Sequence, residues 1–514
     1  MYDYILRNAT IVDGSGNKPF KANVALFRGS IAFVGEEAIT RAKRIIDLDG
    51  LYLSPGFIDI HTHTELEILK DRDCTPMIVQ GITTSVTGNC GVGVFPNSNS
   101  TLKSYVSDVL GTWDDWSWSD YSSWKSYAEE GGLGNNQCFL TSHTALRTAV
   151  LKDNASRSAN EEEIEEMCAL LRSSLRAGSK GFSSGLYYAP CIFADRAELL
   201  ALLKTVKEEN SIFTVHHRCE GNDVVESLKE VLEAAKETGV KIEVSHLKAI
   251  GKKNQAKVDE LLTMIESYRK AGVDVAFDQY PYTFGSTSLF SLLPPDILKL
   301  TRLEARLALG LENEREDIKK EMLNPDGWDS IYELVGPDDI KILYTENNSQ
   351  YNGLSLTEVG KLRNSDPLDA LLDVLSDESG LTVMADVTES EENLEKIMKH
   401  PLMCFGTDSL FSSPIPHPRS YHSTVELLGK YVRDKHVITL EEAIKKMTSE
   451  PAKRMKLALR GLIKEGYKAD LVAFDLNALK EDGEKNKGIE YVFVNGKLKY
   501  KKGEMQRVRS GEIL

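Results

Sequence analysis

Six side chains able to bind a metal ion or move a proton close short apolar runs in this sequence. His61 and His63 end GFIDIHTH, Cys90 stands in ITTSVTGNCG, His216 in SIFTVHHR, His246 in KIEVSHLK and Asp408 in MCFGTDSL. Residues two apart on an extended strand point to the same side, so His61 and His63 can meet one metal ion. A single strand histidine is by default a core or surface residue, whereas an HxH pair closing an apolar strand points to ligation. His216 and His246 close consecutive runs about 30 residues apart, the length of one β/α unit. Four imidazoles converging on one rim suit zinc. His217 competes with His216, since alternation sends the two to opposite sides, and the residues alone leave that choice open. A free cysteine is by default a small buried apolar group, the reading given to the other six. Cys90 differs in lying among glycines at a strand end, where zinc and neighbouring imidazoles would stabilise a thiolate. Composition leaves both readings of Cys90 open. Asp408, at the mouth of a histidine-lined site, is suited to act as general base toward a water activated by the metal.

These residues need elements that bring them to one place. Together with QCFLTSHTAL, KGFSSGL and DVAFDQYPY, the runs above make eight strand candidates. Helical stretches such as ANEEEIEEMCALLRSSLRAG and DVVESLKEVLEAAKETG separate several of them; in the second, Val, Leu and Ala recur at helical spacing opposite charged residues. Strand–helix alternation with continuous apolar strands predicts an α/β fold, a (β/α)8 barrel over 56–455, whose active-site face is formed by the C-terminal strand ends. Residues 1–55 and 456–514 alternate apolar and polar in short runs broken by Gly and Asn, which predicts a small β-sandwich domain built from both termini. Residues 283–402 separate the seventh and eighth candidates by roughly 120 positions, far beyond an ordinary connection. They are expected to form an inserted subdomain or lid over the barrel mouth, weighed against an excursion away from the site.

A chain of 514 residues accommodates a barrel of roughly 250 residues or more and a smaller domain. Its net charge of −16 argues against nucleic acid, which needs a basic face, and an anionic substrate would have to find local positive charge in the pocket. The seven cysteines include no CxxC pair, so neither a disulfide framework nor a structural zinc knuckle is expected. The start, MYDYILRNATIVDGSG, has no basic segment and apolar run of a signal peptide, and no stretch approaches the roughly 20 apolar residues of a membrane span. The expected setting is the cytoplasm, with no membrane partner.

With HxH on the first strand, His on the fifth and sixth and Asp on the eighth, the pattern resembles the amidohydrolase superfamily over nearly the whole chain. Within it the sequence is similar to the N-acyl-D-amino-acid deacylases (D-aminoacylases), carried by PGFIDIHTH, TSVTGNCG, FSSGLYYAP, HHRCEG, SHLKA, DQYPYTFGSTS and FGTDSLFSSPIPHPRSYHST. The resemblance implies that Cys90 takes the place of the carboxylated lysine of many relatives, and that His216 rather than His217 is the ligand. It implies one tight zinc site of Cys90, His216 and His246, with a second, weaker metal position at His61, His63 and Asp408. It further implies that Lys248, Tyr280, Ser286 and Arg419 clamp a substrate carboxylate, and that Tyr188 hydrogen-bonds the scissile carbonyl. The expected substrate is a small N-acyl-D-amino acid, cleaved at its linear amide. Relatives acting on acidic D-amino acids carry an Arg shortly after the STS segment; here LFSLLPPDILKL has none before Pro294, which favours a neutral or apolar leaving side chain. The usual aromatic after the double proline is also replaced, by Asp296. The alternatives are a dipeptidase releasing a C-terminal D-amino acid, a cyclic-amide hydrolase of the hydantoinase or dihydroorotase type, and a catalytically dead scaffold on this fold.

Overall fold

The computed structural model describes residues 1–97 and 101–514. Eight parallel strands neighbour one another in sequence order: β1 (Phe57–Thr62), β2 (Ile82–Thr87), β3 (Asn136–Ser142), β4 (Gly181–Gly185), β5 (Ile212–His216), β6 (Lys241–Val244), β7 (Val275–Gln279) and β8 (Met403–Phe405). They coincide with the eight apolar runs, each trimmed to its hydrogen-bonded part. The barrel closes through residues just beyond β1 and β8. Thr62 bridges Ser409, the Asp408 N–H donates to the His61 carbonyl at 2.7 Å and the His63 N–H to the Ser409 carbonyl at 3.0 Å. Closure of the barrel therefore pins the HxH pair to the aspartate.

Amphipathic helices cover the outside. The helix Val224–Thr238 buries Val224, Leu228, Val231, Leu232 and Ala235 along one face and stops at Gly239, whose φ of 69° suits glycine. The helix Glu161–Ala177 begins with a reciprocal cap between Asn160 and Glu163. Their apolar faces pack on Phe182, Phe213, Val215, Ile242, Val244 and Phe277, each large side chain so buried stabilising by about 1.5–3 kcal/mol. On β5, alternation that turns Phe213 and Val215 toward the helices leaves Thr214 and His216 on the other face.

The two ends of the chain share one nine-stranded sheet, in which Tyr52–Pro55 pairs antiparallel with Leu471–Phe474. Its core joins Leu6, Ile11 and Val24 to Leu471 and Phe493, so the two ends bury one another's apolar faces. Between β7 and β8 stands a three-stranded antiparallel sheet, with Phe284–Ser288 and Ile340–Thr345 on either side of Thr382–Val387. It has its own core, including Leu309, Ile342, Val359, Leu371 and Met384. Asp329 ties this insert to the barrel rim by accepting the backbone N–H groups of Gly221 and Asn222 at 2.6 and 2.9 Å. Among the described residues, no helix is long and apolar enough to cross a membrane.

Candidate active site

All five metal-ligand candidates and Asp408 are buried at the C-terminal ends of the barrel strands. His61 Nε2 lies 3.2 Å from Cys90 Sγ and 3.3 Å from Asp408 Oδ1. His63 Nε2 is 3.2 Å from the same carboxylate oxygen. His246 Nε2 is 3.5 Å from Cys90 Sγ and 3.0 Å from His216 Nδ1. The potential ligand atoms of His61, Cys90, His246 and Asp408 all lie within 4.8 Å of one another, as do those of His216, Glu220 and His246. His63 Nδ1 and His216 Nε2 are buried with no hydrogen-bond partner. Imidazole nitrogens turned toward a thiol, a carboxylate and one another form a donor set that fits a cation of intermediate softness. His217 faces away: it is fully buried against Ser227, 3.0 Å distant, and burial pushes its pKa down to about 3.

The cluster is built at a cost in backbone strain. Cys90, His246 and Asp408 have φ of 52°, 33° and 51°, a left-handed region that costs a non-glycine residue of order 1–3 kcal/mol. Two glycines make room for it. The Cys90 carbonyl oxygen lies 2.0 Å from where a Cβ on Gly185 would sit, and the His61 Cβ lies 2.7 Å from that position on Gly406. Asp278 orients two of the histidines, contacting His61 Nδ1 at 3.0 and 3.1 Å and accepting the His246 backbone N–H at 2.9 Å. Its contact to Nδ1 leaves His61 Nε2 directed at the cluster.

Charge reinforces the arrangement. Burial raises the Cys90 thiol's pKa, but the imidazoles of His61 and His246 and hydrogen bonds from His216 and His246 outweigh it and hold the thiol well below its usual range. Burial likewise opposes ionisation of Asp408, yet Arg419, His61 and His63 keep this carboxyl well below the ordinary value.

Beside the cluster lies a pocket with about 480 Å³ of empty space, mouth included, and Tyr188, Lys248, Tyr280, Ser286 and Arg419 all line it. The Lys248 ammonium donates to Glu220 at 2.7 Å and lies 2.8 Å from His246 Nδ1. Arg419 pairs with Asp408 at 2.8 Å, donates to the Ser286 carbonyl at 3.1 Å and lies over the Tyr280 ring, while its Nε has no partner. The Tyr188 hydroxyl accepts from Thr287 Oγ1 at 3.4 Å, and its ring stands edge-on to His216. Both cations are thus engaged by protein carboxylates.

Three carboxylates here were not singled out from the sequence. Glu220, four residues after His216, contacts His246 Nδ1 at 3.1 Å as well as Lys248; the local signal was the Glu inside HHRCEG. Asp278 opens the DQYPY segment after the seventh strand's apolar residues. Asp386 comes from the insert and carries no comparable signal.

Known proteins resemble this chain over its whole length. The profile of the amidohydrolase family matches residues 44–293 and 355–500. An N-acyl-D-aspartate deacylase of Alcaligenes xylosoxydans xylosoxydans is 31% identical, the alignment covering 100% of this chain and 95% of that protein. The solved N-acyl-D-glutamate deacylase of Bordetella bronchiseptica, complexed with zinc and a phosphonate mimic of the tetrahedral intermediate, superposes with a TM-score of 0.86 at 28% identity, covering 100% of this chain and 99% of that one. A D-aminoacylase structure described by its binuclear metal centre superposes with a TM-score of 0.84 at 29% identity, over 100% and 99% of the two chains.

Proposed function

The chain belongs to the amidohydrolase family, and we propose that it hydrolyses the linear amide of N-acyl-D-amino acids with zinc as its metal. The observation that carries this reading is the placement of a His/Cys/Asp cluster and an Arg–Lys pair around one pocket. Cys90, His216 and His246 would hold the tight zinc, and His61, His63 and Asp408 a second, weaker position. Bound zinc supplies a Lewis acid and lowers the pKa of water toward neutrality.

The protein's own groups do the rest. Arg419 and Lys248, with the Tyr280 and Ser286 hydroxyls, receive the substrate carboxylate; guanidinium can do so bidentately. Held there, the amide carbonyl lies within reach of Tyr188, whose hydroxyl stays protonated because burial, reinforced by the charge of Cys90, raises its pKa well above the ordinary value. It donates a hydrogen bond to the oxygen as negative charge develops. Asp408 takes the proton of the attacking water and returns it to the leaving nitrogen. The absence of an Arg between Ser286 and Pro294 argues against an acidic side chain on the released amino acid. A cyclic-amide hydrolase of that type would carry a carboxylated lysine near the end of the fourth strand, whereas Lys180 directly precedes β4, at the end remote from the cluster. Seven unpaired cysteines fit a reducing compartment such as the cytoplasm.

The test is a panel of N-acetyl-D-, N-acetyl-L-, dipeptide and hydantoin substrates offered to zinc-loaded protein. The expected result is release of D-amino acids from the N-acetyl-D series in preference to all others. Preferential turnover of hydantoins, or of the L series, overturns the proposal.

A further inference from the structure

Four carboxylates line the pocket: those of Glu220, Asp329, Asp386 and Asp408. Three have partners. Glu220 holds Lys248, Asp408 holds Arg419, and Asp329 accepts backbone N–H groups of Gly221 and Asn222. Asp386 is different. It is only 4% exposed, has no ion pair among the described residues, and its Oδ2 is buried with no hydrogen-bond partner. A buried acceptor left unmade costs about 1–3 kcal/mol, more if charged, and this carboxyl lines the pocket.

The position of Asp386 says which part of a substrate would meet it. On the three-stranded sheet it stands opposite Gly285, one residue before Ser286 of the clamp. A Cβ built on Gly285 would lie 3.4 Å from the Tyr280 hydroxyl, 3.5 Å from Asp386 Oδ1 and 3.1 Å from Thr388 Cγ2. The missing side chain therefore leaves a niche no larger than a methyl group, with the clamp tyrosine on one wall and the unpaired carboxylate on another. A substrate carboxylate held at Tyr280 and Arg419 would bring the α-carbon beside this niche, and its side chain would be the group to meet Asp386. Burial raises the Asp386 pKa to about 6, with Lys248 and Arg419 pulling the other way. Once a bound carboxylate has taken those two cations they no longer hold Asp386 ionised, and a cation arriving with the substrate would take their place.

We infer that Asp386 is a specificity-determining residue, selecting a leaving D-amino acid whose side chain ends in a cation. This rests on the deacylase reading and replaces the expectation of a neutral or apolar side chain, which was drawn from the segment after Ser286 alone.

The decisive measurement compares kcat/KM for N-acetyl-D-lysine, N-acetyl-D-norleucine, N-acetyl-D-glutamate and L-alanyl-D-norleucine in the zinc-loaded wild type, Asp386→Asn and Asp386→Ala. A hydrogen bond between charged groups sets the expected preference for D-lysine over D-norleucine at about 10- to 100-fold. That ratio is expected to collapse toward unity in both variants, while the D-glutamate to D-norleucine ratio rises. A wild type that prefers D-norleucine, or a lysine preference that survives both substitutions, overturns the inference while leaving the deacylase reading intact. A preference for the free amine of L-alanyl-D-norleucine, lost in both variants, also overturns it, because the amine would then lie on the acyl side. Failure of the wild type to hydrolyse any N-acetyl-D substrate overturns the inference and the deacylase reading together.

Discussion

Replacing Glu220 with glutamine removes a buried negative charge while keeping its shape. Glu220 is 5% exposed; its Oε1 lies 2.7 Å from Lys248 Nζ and 3.1 Å from His246 Nδ1, and its Oε2 3.6 Å from His216 Nε2. Burial opposes its ionisation, but His216, Lys248 and His246 outweigh burial and hold its pKa well below the ordinary value, so it is anionic at neutral pH. Glu220→Gln strands the Lys248 ammonium, itself almost fully buried, without a counter-ion. Breaking a buried pair from one side costs about 3–5 kcal/mol, whereas removing both charges is close to neutral. The single variant is therefore expected to lose about 3–5 kcal/mol of stability in urea unfolding, and Glu220→Gln/Lys248→Met to recover most of it. Glu220 also positions His216 and His246, and loss of such an orienting partner lowers metal affinity about 10- to 100-fold. Competition with a chromogenic chelator is expected to show that loss in the single and the double variant alike. A single variant as stable as wild type with unchanged zinc affinity, or a double variant no more stable than the single, would refute the reasoning.

Asp408→Asn is expected to retain tight zinc but to lose about 10²- to 10⁴-fold in kcat, the usual contribution of a positioned general acid/base; near-normal hydrolysis would remove its assigned role. In Gly185→Ala the new Cβ meets the Cys90 carbonyl oxygen at 2.0 Å, so the Cys90 backbone must move. A stability loss of about 1–3 kcal/mol and reduced zinc content are expected, and unchanged melting temperature and zinc stoichiometry would contradict the close approach. His143 is buried between Ser184 and Glu198, with Nε2 2.7 Å from the carboxylate. Burial opposes its protonation, but Cys191 and Glu198 prevail and raise its pKa to about 9. Between the unfolded value near 6.5 and about 9 the folded state binds the extra proton. Its contribution, of order 3 kcal/mol, is therefore complete below about pH 6.5 and lost as pH rises through about 9. Thermal unfolding across this range should show a fall in wild type that is reduced in His143→Gln; parallel curves would deny the linkage.

How far the sequence reaches depends on how locally each feature is encoded. The eight barrel strands were legible because parallel strands covered on both faces are continuous apolar runs, and the polar residue ending each run marks the active-site face. His61 and His63, His246 and Asp408 were legible for that reason, and their strands need only close into a barrel for the four to meet. Cys90 and the choice of His216 over His217 needed more than the residues. Both were read through family resemblance, and His217 is turned away in the fold, where burial against Ser227 suppresses its protonation. Asp278 and Glu220 were present in quoted segments but had no distinguishing spacing, because their partners lie on other strands.

What only the tertiary structure decided is how charge is distributed around the pocket. Arg419 and Lys248 are named in the sequence as cations, yet that Asp408 and Glu220 hold them follows from packing across β5, β6 and the segment after β8. Asp386 lies 100 positions after Ser286 and meets the pocket only because the insert folds its strand against Phe284–Ser288. Local sequence reports periodicity and strand ends, which depend on neighbours along the chain. The sum of charges in a buried niche depends on neighbours in space, and the inference about the substrate's side chain rests on that sum.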